Sequence, residues 1–225
     1  MTVSGKNQLV QQVLDSREAP SIIKELNSAL ETEMQKRQAF YDAMSTEELK
    51  TEFINGEVIV HSPVKIVHNE ISLNLAFILR TYVSRNKLGF VGHEKIMVRL
   101  SRNDYEPDVC YFNNSIAKDF EKGQSLFPAP SLAVEVLSKN TAGRDRGIKM
   151  QDYAAHGVEE YWIIDAQKER LEQYVLEGKQ FELHKKSNEG QLHSVSVAGL
   201  SFPIEAIFNE QKAEEVVFQI LSTKN

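Results

Sequence analysis

The sequence predicts an α/β protein: a mixed central β-sheet flanked by helices, preceded by a helical N-terminal extension. Three observations lead there. The middle of the chain runs strand, helix, strand, through LAVEVL (132–137), a helical pattern over 143–156, and VEEYWIID (158–165). A long amphipathic helix pattern, Val67, Ile71, Leu75, Ile78, Leu79 and Tyr82, follows an Asn55-Gly56 dipeptide set between two apolar runs. The first forty-odd residues show helical spacing only.

In chain order, Leu9, Val10, Val13 and Leu14 form one short amphipathic segment, which Pro20 interrupts. Ile22, Ile23, Leu26, Leu30 and Met34 then continue at helical spacing toward Phe40. Ser45 to Glu48 has capping-box spacing and predicts another helix start. Asn55-Gly56 is the pair that a type I′ hairpin turn requires, because both central residues take positive φ. Gly89 closes the long helix, and strands are predicted at KIMVRL (95–100), PDVCYF (107–112) and LAVEVL. In LAVEVL, alternation puts Leu132, Val134 and Val136 on the core face, with Ala133, Glu135 and Leu137 opposite. After VEEYWIID, two strands turn around Glu177-Gly178, a further extended piece follows near His193–Val197, and Ala213, Val216, Val217, Ile220 and Leu221 mark a C-terminal helix.

Composition sets bounds. The 225 residues are enough for one large domain with an appended element, 41% hydrophobic and 26% charged. The longest aliphatic or aromatic run is about the length of LAFIL (75–79), far below the ~20 residues of a membrane span, and no basic-then-apolar leader opens the chain. A cytoplasmic protein is expected. A single cysteine, Cys110, excludes an internal disulfide, and its place in a strand predicts a buried thiol. A net charge of −6 argues against a protein that coats nucleic acid generally, while leaving room for one basic groove.

Glu135 is the anomaly in this pattern. An ionisable group in the middle of a short apolar strand must be neutralised by a cation or open onto a cleft. Asp108 begins the preceding strand, and Lys149 lies four residues after Asp145 on the following helix. Two carboxylates on neighbouring strands beside a lysine form a metal-and-base arrangement, in which carboxylates hold a hard cation and the ammonium offsets developing negative charge. Lys139 shares the strand parity of Glu135 and competes with Lys149 for that place; the stripe that Lys149 shares with Asp145 and Asp152 favours Lys149. Lys139, Arg144, Arg146 and Lys149 concentrate positive charge about one helix N-terminus, where phosphate binds readily; the competing reading is solvated loop charge.

The runs EPDV (106–109), PSLAVEVLSKN (130–140) and RDRGIKMQDYAAHGVEEYWIID (144–165) resemble the PD-(D/E)xK nuclease superfamily, most closely its Uma-type branch of restriction-endonuclease-like proteins, over roughly Glu52 to Phe208. The resemblance implies a restriction-endonuclease-like domain at 45–225 after the extension at 1–44. It implies Asp108 and Glu135 as metal ligands, the Val136 carbonyl as a candidate third, and Lys149 as the catalytic lysine. The superfamily often adds an acid from the first core helix, where Glu70 is the nearest match, although helix surface is the plainer reading of Glu70 and of His68 beside it. One departure stands out: the lysine expected two residues after the glutamate is Leu137 here. The implied activity is Mg²⁺- or Mn²⁺-dependent hydrolysis of DNA by a homodimer. The alternatives are a catalytically silent DNA-binding or protein-interaction module and a purely structural dimer.

Overall fold

A computed structural model describes residues 3–44 and 50–223. The capping-box segment Ser45–Glu48 lies outside the described residues. The described chain divides into two compact units, residues 1–48 with 53–58, and residues 49–52 with 59–225.

The first unit holds α1 (Val3–Leu14) and α2 (Ala19–Met44), with Pro20 in the first turn of α2, where a missing amide costs nothing. Phe40 and Phe53 are buried against each other in this unit, ring centroids 5.8 Å apart. The strands β1 (Thr51–Ile54) and β2 (Glu57–Val60) belong in part to each unit. Their turn has φ 51° at Asn55 and 82° at Gly56, the two positive values that the dipeptide predicts.

In the second unit, α3 (Ile66–Asn86) is followed by β3 (Gly89–His93), β4 (Met97–Arg99), β5 (Asp104–Tyr105), β6 (Val109–Asn113), the short α4 (Asn114–Ala117), β7 (Leu126–Phe127) and β8 (Leu132–Val136). Next come α5 (Ala142–Asp145), α6 (Ile148–Ala155), β9 (Glu160–Asp165), β10 (Arg170–Glu177), β11 (Gln180–Ser187), β12 (Gln191–His193), β13 (Ser201–Pro203), a 3₁₀ turn, and α7 (Glu210–Ser222). The main sheet has the order β11-β10-β9-β8-β6-β3. Only β8 and β9 pair in parallel within it, through the α5–α6 crossover, so the sheet is mixed as predicted. Two smaller sheets accompany it, β2-β1-β5-β4-β7 and β12-β13, which a single-sheet expectation did not anticipate.

Leu132, Val134 and Val136 join Ile71, Leu75, Leu79 of α3, Trp162 and Ile164 of β9, and Val216 and Val217 of α7 in one core. That is the face the alternation assigns to the core. The opposite face is also covered: Tyr153 of α6 and Phe181 of β11 stack around Tyr161. β8 is therefore buried along its whole length, which is the setting that makes a carboxylate at Glu135 costly.

The helix predicted as one piece over 143–156 is two pieces. Gly147 interrupts it with φ −114°, ψ −100°, and a Cβ there would lie 2.8 Å from the Gly143 carbonyl oxygen. Glycine thus permits a break between α5 and α6, and α6 sets Lys149 and Tyr153 against Glu135 of β8. Cys110 is buried and free, its thiol pushed up by burial.

Candidate active site

The site forms where β6 and β8 part. Their ladder runs Tyr111–Leu132, Cys110–Ala133, Val109–Val134 and stops; one more step would set Asp108 opposite Glu135. In place of that pairing, the Asp108 carboxylate accepts a hydrogen bond from the Val136 amide at 2.7 Å. Asp108 thereby fixes the end of β8 with its side chain, and it lines a cavity of about 500 Å³. Glu135, Lys149, Lys139 and Arg144 line the same cavity.

Two charge clusters meet there. In the first, Lys50 donates to Asp108 at 2.6 Å and lies 3.4 Å from Glu94, while His68 Nε2 lies 3.3 Å from the other Asp108 oxygen. His68, Glu94 and Asp108 each offer a ligand atom within 4.8 Å of the others. In the second, the Lys149 ammonium is buried among Glu52 at 2.7 Å, Glu135 at 3.0 Å and Asp145 at 3.4 Å. Tyr153 donates to the same Glu135 oxygen at 3.3 Å, and His61 pairs with Glu52 at 2.9 Å.

Burial raises the carboxyls of Asp108, Glu52, Glu135 and Asp145, and the partners decide the net direction. At Asp108 the Lys50 ammonium and then His68 more than offset burial, holding the carboxyl well below the usual range. At Glu52, Lys149 and His61 do the same, to about 2. Glu135 goes the other way: burial, aided by the neighbouring Asp145, Asp108 and Glu52, outweighs Lys149 and leaves it well above the usual range. Asp145 is raised for the same first cause. Burial would lower Lys149, but Glu135, Glu52 and Asp145 hold its proton on.

Glu52, Glu94, Asp108, Glu135 and Asp145 face two ammonium groups, Lys50 and Lys149, among the described residues. That excess of carboxyl groups over ammonium groups suits a divalent cation, and the donors nearest one another are Asp108, Glu94 and His68. Glu135 lines the same cavity as Asp108 and His68 but is engaged by Lys149 and Tyr153.

The other sequence candidates fall as follows. Val136 contributes its amide to Asp108. Glu70 is exposed on α3, and the residue of that helix that reaches Asp108 is His68, buried rather than solvated. Asp152 turns away from Lys149 and accepts from Tyr105 and Asn103, each at 2.5 Å. Lys139 is exposed at the cavity rim. Arg144 lines the cavity with its Nε buried and unpartnered, whereas Arg146 is held by Glu172, bidentately. Sequence reasoning missed Lys50, Glu52, His61 and Glu94. Glu52 carried the signal that singled out Glu135, an acid inside a short apolar strand; Lys50 and Glu94 carried none.

The Arg146 pairing yields a prediction away from the cavity. Glu172 is buried, and hydrogen bonds from Arg146, Lys186 and Tyr174 overcome that burial to hold it at about 2, against an ordinary 4.5. A depressed folded value means that the contribution is present above pH 4.5 and lost as pH falls toward 2. Glu172→Gln is expected to melt several degrees lower than the wild type at pH 7, with the gap narrowing to less than half by pH 3. A gap of equal size at both pH values would refute the ion-pair account.

Comparisons with known proteins bear on this arrangement. The Uma2 family, described as "Putative restriction endonuclease", matches residues 37–205. The uncharacterized protein sll1609 of Synechocystis sp. is 31% identical over 127 residues, 56% of this chain and 71% of that one. The crystal structure of "a putative nuclease belonging to DUF820" from Anabaena variabilis superposes with a TM-score of 0.62 at 18% identity, covering 72% of this chain and 91% of that one. At that identity the likeness speaks for the fold. Among the described residues, no helix is long and apolar enough to cross a membrane.

Proposed function

The chain belongs to the Uma2 family, and on that premise we propose that it is an endonuclease that hydrolyses DNA phosphodiester bonds with Mg²⁺ or Mn²⁺. The observation that supports this best is the meeting of Asp108 and Glu135 at the parting of β6 and β8, with the Lys149 ammonium 3.0 Å from Glu135. A family likeness alone gives a fold; these side chains supply the chemistry.

On this reading Asp108, Glu94 and His68 would hold the metal, with Glu135 beside them. When bound, the metal supplies Lewis acidity and lowers the pKa of a coordinated water. An imidazole in the donor set favours Mn²⁺ over Mg²⁺, which takes oxygen ligands. In its ionised form Glu135, whose proton affinity is raised, is suited to accept a proton from an attacking water. Lys149 keeps its positive charge in the cavity wall, where it offsets negative charge developing on the phosphoryl group. Arg144, with an unpartnered Nε in that wall, is the phosphate contact on this proposal. The reading extends to a homodimer through α2, where Leu26, Leu30 and Met34 are exposed; removing residues 1–44 and measuring mass in solution tests it.

Cleavage of supercoiled plasmid and of a single-stranded oligonucleotide, with Mn²⁺ or Mg²⁺, tests the activity. Asp108→Asn serves as the blank for contaminating nucleases. Wild type is expected to cut on the order of a hundredfold faster than the blank or more, the size of losing one electrostatic stabiliser. Equal rates on both substrates would leave the silent-module reading in possession.

A further inference from the structure

Lys50 has no part in the superfamily motif, yet its ammonium sits at the centre of the first cluster. It touches two of the three groups whose ligand atoms converge: Asp108 at 2.6 Å and Glu94 at 3.4 Å. The third, His68, has Nε2 3.3 Å from Asp108 and a buried Nδ1 without a partner. Lys50 is itself mostly buried, and it precedes β1, so its backbone is tied to the fold through the amide of Thr51, which donates to Glu106 at 3.1 Å. Its side chain is long and single-bonded throughout, so the ammonium can leave the acids without the backbone moving.

We propose that Lys50 is a built-in competitor for the metal: its ammonium occupies the cation position between Asp108 and Glu94, and a divalent ion binds only by displacing it toward the cavity. The inference rests on the metal-dependent reading above. Its physical basis is that clustered carboxylates without a counter-ion repel one another and destabilise the fold. Lys50 relieves that repulsion until an ion of higher charge takes over. The displaced ammonium then lies on the substrate side of the acids, in a cavity already lined by Lys139 and Arg144, where a phosphate oxygen is its natural partner.

The test is Mn²⁺ affinity, measured by calorimetry on the full chain, together with melting temperature with and without Mn²⁺. Lys50→Met is expected to bind Mn²⁺ at least about tenfold more tightly than wild type, to melt lower without the ion, and to gain more from adding it. Lys139→Met removes an equal charge from the rim without vacating the cation position, so its affinity should change by less than about threefold. If Lys50→Met proves too unstable to purify, Lys50→Gln, which keeps a hydrogen-bond donor toward Asp108, carries the same expectation. Unchanged or weaker Mn²⁺ binding in the Lys50 variant, beside a wild type that binds at Asp108, overturns the competitor role alone. Equal tightening in Lys50→Met and Lys139→Met also overturns it, since a general field would then account for both. If neither wild type nor Lys50→Met binds Mn²⁺ more tightly than Asp108→Asn does, the metal-dependent reading falls with it.

Discussion

Lys149→Ala is expected to lower the melting temperature by on the order of 10 °C, since stripping the partner from a buried ion cluster costs about 3–5 kcal/mol and a chain of this size loses about 2–4 °C per kcal/mol. The ammonium is 2% exposed and lies among Glu52, Glu135 and Asp145, all of them buried. Removing it leaves three carboxyls in a low-dielectric pocket, with the His61 imidazole near only the first. Glu52→Gln added to Lys149→Ala should restore part of the loss, because Glu52 is the closest partner at 2.7 Å. Thermal unfolding of the two single variants and the double variant measures the coupling. A Lys149→Ala protein as stable as wild type would mean that the ammonium contributes nothing net to the fold. Its proposed role in cleavage needs a separate readout, and Lys149→Arg provides it by keeping the charge while changing the geometry. Slowed cleavage in a stably folded Lys149→Arg would assign the lysine to the reaction as well as to the fold.

How far the sequence exposes this arrangement depends on the range of each interaction. Local rules are read directly. Asn55-Gly56 predicts a turn with two positive φ values because the requirement lies in the dipeptide itself, and β8 is found because alternation and β-branching act between neighbours. Glu135 stands out because it violates its own strand's pattern. The pairing of Glu135 with Lys149 is legible too, since a βαβ crossover returns the helix over the strand it left. What stays hidden is set by distance along the chain. Lys50 meets Asp108 across 58 residues, and nothing local to either residue announces the other. Glu94 sits at positive φ, 51°, just after β3, and its side chain's direction follows from that irregular turn rather than from any periodicity. The break at Gly147 is hidden for a related reason: a glycine inside a helical pattern is tolerated and does not by itself announce a bend, and here the close Gly143 carbonyl decides. Glu70 illustrates the converse. Helical spacing puts it one turn from Asn74, which reaches Ile207, but the helix presents His68 to the acids and turns Glu70 to water.

Glu135→Gln is the complementary experiment, with fold and activity expected to part company. The wild-type carboxyl is buried beside Asp145, Asp108 and Glu52, so its ionised form is opposed by three like charges and favoured by Lys149. Glutamine fills the same volume and still accepts hydrogen bonds from Lys149 and Tyr153 through its carbonyl oxygen. What it loses is an ionisable group whose charged form burial and the surrounding carboxyls oppose. The melting temperature without metal should therefore stay level or rise. Cleavage should fall by on the order of a hundredfold or more, because the amide can neither accept the proton of an attacking water nor add charge toward a bound cation. Mn²⁺ affinity should drop as well, since the carboxylate lies within electrostatic reach of Asp108 and lines the cavity that Asp108 and His68 also line. A fall of many degrees in the metal-free protein would instead show that the Lys149–Glu135 pair is a net stabiliser, so that Glu135 serves chiefly to neutralise the lysine. Full cleavage by a stably folded Glu135→Gln would remove Glu135 from the reaction and leave Asp108, His68 and Glu94 to carry it.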